Sequence, residues 1–316
     1  MNEKAMTKKC VVICGPTASG KSSLAVSLAK EFNGGIVSAD SMQIYRELDL
    51  ATAKPNRDEL AAVVHRMIDI CSPDELFSVH SYQSMAKKEI DDFHNQDKLP
   101  FLVGGTGLYI DSILRNTHFV DIPTDPSLRQ KLEEEYDRIG PDAFWQKVKE
   151  IDPDSAKKLF PKDKKRTVRA MEIYCATGHT QTHWNQQSHT SPSDCRFLVL
   201  NLNYRSRSLL YQRIDSRVDQ MMADGLLQEC RTLFEKGVLD TPTASQAIGY
   251  KEMKNYITGK SSLEEALSLL KQRSRNYAKR QITWFKRYSG IQLFMDEPDP
   301  LARARAHIQH FLEEAT

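Results

Sequence analysis

The octet GPTASGKS at residues 15–22 constrains this chain more than any other stretch, because it follows an apolar run and opens a helical pattern. It matches G-x-x-x-x-G-K-[ST], a loop whose glycines let successive backbone N–H groups curl inward around a phosphate. The helix that begins there adds the positive end of its dipole. In this reading Gly15, Pro16, Thr17, Ala18, Ser19 and Gly20 form the cradle, and Lys21 reaches the terminal phosphate. The Ser22 hydroxyl is then the protein's ligand to Mg²⁺. The preceding residues, CVVIC at 10–14, read as a strand buried on both faces.

Further strands are expected at 34–40 (GGIVSAD), 99–105 (LPFLVGG) and 196–204 (RFLVLNLNY), with a helix over 81–97 and an apolar segment at 291–295. Strands alternating with helices predict an α/β fold, a P-loop NTPase-like parallel sheet flanked by helices. Residues 124–178 instead hold helical segments broken at Pro126, Pro141, Pro153 and Pro161, with no strand among them. The expected organisation is therefore a core of 1–116 with 196–316, carrying C-terminal helices, and an inserted all-helical domain at 117–195. The polar run GHTQTHWNQQSHTSPSD (178–194) reads as a loop or linker. Parallel sheets bind ligands at the carboxyl ends of their strands, where Gly15, Asp40 and Gly104–Thr106 fall.

With 40% apolar and 27% charged residues the composition is that of an ordinary globular protein. The six cysteines form no Cys-x-x-Cys pair, the N-terminus MNEKAMTKKC has no apolar signal stretch, and no run nears a membrane span. A cytoplasmic chain with reduced thiols is expected, with monomer the default because no coiled-coil pattern appears. Cys175, His179, His183, His189 and Cys195 lack any standard zinc spacing. Net charge is only +2, so local charge is the informative quantity. Residues 157–169 hold seven basic side chains and one acid, and 271–287 hold seven and none. Basic side chains track phosphates and aromatics stack on splayed bases, which makes Lys165, Arg166, Arg169, Lys279 and Arg280 candidate RNA contacts.

Two charged residues stand out. Asp40 closes a strand beside the phosphate loop, as a metal ligand or as a base acting on an acceptor, and the Walker-B alternative fails because FLVGG ends in glycines. On a helical wheel Leu210, Ile214, Val218 and Met221 form one stripe, and Arg217 falls inside it. An arginine in apolar surroundings is costly unless it meets an anion, so Arg217 is a candidate anion clamp and Arg213 a weaker one.

Taken together, the motifs resemble the bacterial tRNA dimethylallyltransferase (tRNA isopentenyl-diphosphate transferase) family. They are GPTASGKS, DSMQIYRELDLATAKP (40–55), HRMIDI (65–70), LVGGTGLY (102–109), DPSLR (125–129), KRTVRAMEIY (165–174), YQRIDSRV (211–218), QAIGYKEM (246–253) and AKRQITWFKR (278–287). They run in family order over almost the whole chain, and a minor departure is Ser22, where many members carry Thr and the hydroxyl is kept. The resemblance implies transfer of the dimethylallyl group of dimethylallyl diphosphate to the exocyclic amine of the tRNA adenosine 3′ to the anticodon, with Mg²⁺ assisting. The loop would then hold a prenyl diphosphate where related loops bind ATP or another nucleotide. Asp40 becomes the base, with Lys21, Ser22 and Arg217 on the leaving diphosphate. Ser41, Met42, Thr106, Arg129 and the stretch Gln246, Gly249, Tyr250, Lys251 carry over as RNA contacts. Gln43, with donors and an acceptor, suits base edges. No membrane and no obligate protein partner are implied. Rival readings are an adenylate prenyltransferase, a phosphate-loop kinase of a small metabolite, and an RNA-binding protein with a nucleotide switch.

Overall fold

The computed structural model describes residues 8–117, 119, 125–188 and 193–314. The N-terminal residues 1–7 and His189, on which parts of the sequence reading rest, lie outside that set. The chain divides into two compact units, Met1–Leu114 with Ser193–Thr316, and Arg115–Pro192.

The first unit begins with β1 (Lys8–Cys14), α1 (Lys21–Glu31), β2 (Gly34–Ser38), α2 (Arg57–Ala62), β3 (His65–Arg66), α3 (Val79–Asn95), β4 (Leu99–Gly104) and α4 (Gly107–Leu114). The second unit holds α5 (Pro126–Ile139), α6 (Pro141–Ile151), α7 (Pro153–Ala156), α8 (Lys164–Thr177) and α9 (Gln181–Gln187). The chain then returns to the first unit with β5 (Cys195–Asn203), α10 (Arg207–Ala223), α11 (Leu226–Glu235), α12 (Tyr250–Ile257), α13 (Leu263–Phe285), β6 (Ile291–Phe294) and α14 (Pro300–Glu313).

The six strands form one parallel sheet in the order β3-β2-β4-β1-β5-β6. Its central strand shows why the sequence has no alternation there. Val12 and Cys14 pack with Tyr82, Phe93 and Phe285 on one face, while Val11 and Ile13 pack with Leu24, Leu28 and Ile308 on the other. Both faces are dry from Cys10 to Cys14, so every side chain of that run is apolar, and the two lysines that open the strand lie outside it. Asp40 lies just beyond β2, and Gly104 pairs with Cys14 at the ends of β4 and β1. The carboxyl ends of three strands thus meet beside the phosphate loop.

Helix α9 overturns part of the loop expected at 178–194. Its cap is Thr180, whose Oγ1 accepts from His183 N–H at 3.1 Å. Its anchor is Asp152, 5% exposed, which accepts from Thr182 N–H at 2.9 Å, Thr182 Oγ1 at 2.6 Å and Ser155 N–H at 3.1 Å. The helix is polar and short, so long-range hydrogen bonds decide it where periodicity is silent. Burial pushes the Asp152 carboxyl up, yet the hydrogen bonds from Thr182 and Ser155 outweigh it and hold the group below the usual range. A depressed carboxylate stabilises the fold above its unfolded pKa of about 3.9, and that contribution is lost in stronger acid. Asp152→Ala is expected to cost about 1–3 kcal/mol in urea unfolding near neutral pH, since it orphans buried donors. Unchanged stability would mean that water replaces the carboxylate.

Candidate active site

The phosphate loop leaves β1 through Gly15, where an added Cβ would stand 2.4 Å from the Leu202 carbonyl oxygen, so only glycine fits. Ala18 (φ 61°) and Gly20 (φ 84°) turn the backbone through the left-handed region, and Ser19 N–H donates to the Pro16 carbonyl at 3.3 Å. Lys21 starts α1 and folds back to donate to the same carbonyl at 2.7 Å. Arg217, on α10, donates to Thr17 Oγ1 at 3.2 Å. Burial pushes the Lys21 ammonium down to about 8, the nearby Arg217 adds to that, and Asp40 opposes it. Arg217 is likewise lowered by burial against the pull of Asp40. Two desolvated cations therefore share one carboxylate, and the charge that completes the set is an anion.

This has a titration consequence. An anion stabilises charged Lys21, so binding one above pH 8 must take up a proton. Affinity for a diphosphate anion should be level below that pH and fall by up to about tenfold per unit above it. Calorimetric titration from neutral to alkaline pH reads this directly, and a flat profile would remove the neutral Lys21.

Asp40 serves its own loop with one oxygen only. Oδ1 accepts from Met42 N–H at 2.9 Å and Gln43 N–H at 3.4 Å, an Asx turn. Oδ2 has no hydrogen-bond partner among the described residues. Thr106, beyond β4, secures the next residue, since its Oγ1 accepts from Ser41 N–H at 2.9 Å and donates to Ser41 Oγ at 3.2 Å.

These groups open on a cavity of roughly 360 Å³ within the first unit. Thr17, Ala18, Lys21, Ser22, Asp40 and Arg217 line it, and α10 and α13 add Ile214, Val218, Met221 and Leu270. Of the RNA candidates, Ser41, Met42, Gln43, Gln246, Gly249 and Arg280 also line it. Arg213 does not line it: it is exposed and donates to the Ala18 carbonyl at 3.2 Å. Lys251 is half-buried and Lys279 is exposed.

Two expectations change. Tyr250, expected at RNA, is 0% exposed, and its hydroxyl donates to Glu229 at 2.6 Å, so in this structure it is a core residue. The Gln43 amide is already engaged, accepting from Ser38 Oγ at 3.0 Å and donating to the Ala53 carbonyl at 3.0 Å. Reading a base edge would mean exchanging those bonds.

The basic segments are also less free than their composition implies. On α13, Lys271 pairs with Asp219 at 2.6 Å, Arg275 with Asp215 at 2.6 Å, Arg287 with Asp111 at 3.4 Å, and Arg273 with the buried Glu252. Lys279 and Arg280 have no ion pair among the described residues, and they lie over the rings of Tyr211 and Tyr277. In the helical unit Arg169 stands 3.0 Å and Arg129 3.9 Å from Glu172, which is 1% exposed. Arg166 pairs with Asp163 at 3.4 Å, while the Lys165 side chain is exposed. Among the described residues no three His, Cys, Asp or Glu side chains gather as metal ligands, and no helix is long and apolar enough to cross a membrane. All six cysteines are free.

Sequence reasoning missed Gln281, which lines the same cavity from α13 beside Tyr277, one of the aromatics interleaved with the basic run. The only available signal was its place in a basic, aromatic stretch.

A parallel sheet with a phosphate loop on its central strand, flanked by a strand-end carboxylate and two half-buried cations, defines a P-loop α/β protein built to hold a phosphorylated ligand. The family model described as IPP transferase matches residues 43–288, and the chain belongs to that family. It is 43% identical over 309 residues to the tRNA dimethylallyltransferase of Caldanaerobacter subterraneus, covering 97% of this chain and 98% of that one. Identity to the tRNA dimethylallyltransferase of a Thermoanaerobacter species is 45%, covering 92% of each. The crystal structure of the tRNA isopentenylpyrophosphate transferase of Bacillus halodurans is similar at 40% identity, with a TM-score of 0.70 over 97% of each chain. A eukaryotic dimethylallyltransferase acting on tRNA is similar at 30% identity, with a TM-score of 0.80 over 96% of this chain and 79% of that one.

Proposed function

We propose that this chain transfers the dimethylallyl group of dimethylallyl diphosphate to the exocyclic amine of the adenosine 3′ to the anticodon in tRNA, releasing diphosphate. The observation that carries the reading is the composition of one cavity. Lys21 and Arg217 supply desolvated positive charge, Asp40 supplies a carboxylate, and Ile214, Val218 and Met221 supply apolar wall. A prenyl diphosphate needs all of the first and last, and an amine acceptor needs the carboxylate.

In the reaction the bond between the allylic carbon and the diphosphate oxygen breaks, and a bond from the adenine amine to that carbon forms. Charge grows on the leaving oxygens, and the phosphate loop, Lys21 and Arg217, which line the same cavity, are the groups that would receive it. The amine is a weak nucleophile because its lone pair is drawn into the ring, so a carboxylate accepting its proton helps as the bond forms. Asp40 Oδ2 is suited to this, since Oδ1 alone holds the turn. The apolar wall keeps water from the allylic cation.

Mg²⁺ fits the donors present, since the Ser22 hydroxyl and the Asp40 carboxylate line the same cavity and are oxygen ligands that a hard cation accepts. Bound there, it supplies further neutralisation of the leaving diphosphate. The tRNA reading draws on Ser41, Met42, Gln43, Gln246, Gly249 and Arg280 around the cavity, with the target base turned out of its stack to enter. Thr106 acts through Ser41, Lys251 and Lys279 add phosphate contacts, and Tyr250 supports its stretch from the core. Arg129, Lys165, Arg166 and Arg169 give the helical unit its share of the RNA. The protein would work as a monomer in the cytoplasm.

The test is to incubate the protein with Mg²⁺, labelled dimethylallyl diphosphate and unmodified tRNA, beside tubes holding AMP or ATP. Label in tRNA alone supports the reading. Label in AMP, or ATP hydrolysis with unlabelled tRNA, would replace it with a free-nucleotide prenyltransferase or a kinase.

A further inference from the structure

Gln281, on α13, is 5% exposed and bonded at both ends of its amide. Its Oε1 accepts from Thr17 N–H at 2.8 Å, and its Nε2 donates to the Gly105 carbonyl at 3.0 Å. The side chain thus bridges the phosphate loop and the loop after β4. A Cβ on Gly105 would stand 2.2 Å from Nε2, so the bridge depends on glycine there. Thr17 is held from its other side as well, because its hydroxyl accepts from Arg217. Tyr277, one turn earlier on α13, interacts with both Gln281 and Thr106, and Thr106 holds Ser41 beside Asp40.

We propose that Gln281 is a positioning residue for the donor diphosphate, fixing Thr17 so that the phosphate loop and Arg217 are in place before substrate arrives. The inference rests on the reading above, in which this loop holds the diphosphate. The chemistry is specific to an amide. Thr17 N–H needs an acceptor and the Gly105 carbonyl needs a donor, and a neutral amide of this length offers both at once. A buried site cannot draw on bulk water to replace either bond. Once Thr17 is released, its hydroxyl no longer steers Arg217, and the loop must be ordered at the moment of binding. The spread of contacts places Gln281 on the donor side of the reaction, so tRNA affinity should be indifferent to it.

The experiment compares the full-length wild type with Gln281→Leu and Gln281→Glu, measuring dimethylallyl diphosphate binding by calorimetry, tRNA binding by filter assay, and steady-state transfer. Gln281→Leu should weaken diphosphate binding and raise its KM by about 10- to 100-fold, with tRNA affinity within about twofold. Gln281→Glu should be similarly impaired at about pH 8 and recover towards about pH 5, where a protonated carboxyl both donates to Gly105 and accepts from Thr17. The wild type should show no such recovery. If Gln281→Leu fails to fold, the pH profile of Gln281→Glu decides the matter alone. Normal diphosphate binding in Gln281→Leu, or a Gln281→Glu profile parallel to that of the wild type, would overturn the role of Gln281. A wild type that neither binds dimethylallyl diphosphate nor modifies tRNA would overturn the parent reading instead.

Discussion

Replacing Asp40 by Asn is expected to leave affinity for both substrates within about twofold and to cut turnover by roughly 100- to 10,000-fold. The two halves of that expectation have separate causes. The turn after β2 uses only Oδ1, which accepts from Met42 and Gln43 N–H. An asparagine carbonyl accepts the same two bonds, so the loop keeps its shape. What the amide cannot do is take a proton from the acceptor amine. Single-turnover transfer with both substrates saturating isolates that step. A variant that transfers at the wild-type rate would remove Asp40 as the base and leave it a structural cap.

Replacing Arg217 by Met should have a comparable effect on the donor side and an opposite one on stability. The guanidinium lines the cavity from within an apolar stripe, between Ile214 and Val218, both almost fully buried. In the absence of an anion it is a desolvated cation answered chiefly by Asp40, which already has Lys21 as a neighbour. Removing it should stabilise the ligand-free fold, because its burial is unfavourable without a partner. It should also lower kcat/KM for dimethylallyl diphosphate by roughly 100- to 1,000-fold, the scale of losing a preorganised donor to developing charge. Thermal unfolding with and without the diphosphate reads both effects. The ligand-free variant should melt higher than wild type, and the ligand-induced rise should shrink. Arg213→Met should have a smaller effect, since Arg213 is exposed and outside the cavity and touches the phosphate loop only at the Ala18 carbonyl. A stable Arg217→Met with normal kcat/KM would reduce the residue to a packed stem.

What could be read in advance follows how local each cause is. The phosphate loop and the strand before it were legible because eight contiguous residues carry the whole mechanism, and because a strand dry on both faces has to be apolar throughout. Arg217 was legible because one helix wheel sets it against its own neighbours. Helix α9 was not, since its anchor, Asp152, lies 30 positions from Thr182. Gln281 was hidden for the same reason, being 264 positions from Thr17. The basic run on α13 misled through counting: it contains no acid, yet Asp215, Asp219, Glu252 and Asp111 reach it from other elements. Tyr250 was carried over with its stretch, and only burial separates it from Gln246 and Gly249.

The register of the central strand sets the order in which the site can come into being. Lys8 pairs with Cys195 along one edge of β1, while Val11 pairs with Phe101 along the other. A chain emerging from the ribosome therefore presents β1 with one edge open until the entire helical unit has been made. That unit draws only on residues close together in sequence and is free to form first, whereas the sheet must close a loop spanning more than half the polypeptide. The phosphate-binding end of β1 is thus among the first parts written in the sequence and among the last to be enclosed. Arg217 and Gln281 arrive later still, so the growing chain carries the recognisable motif long before it carries a binding site.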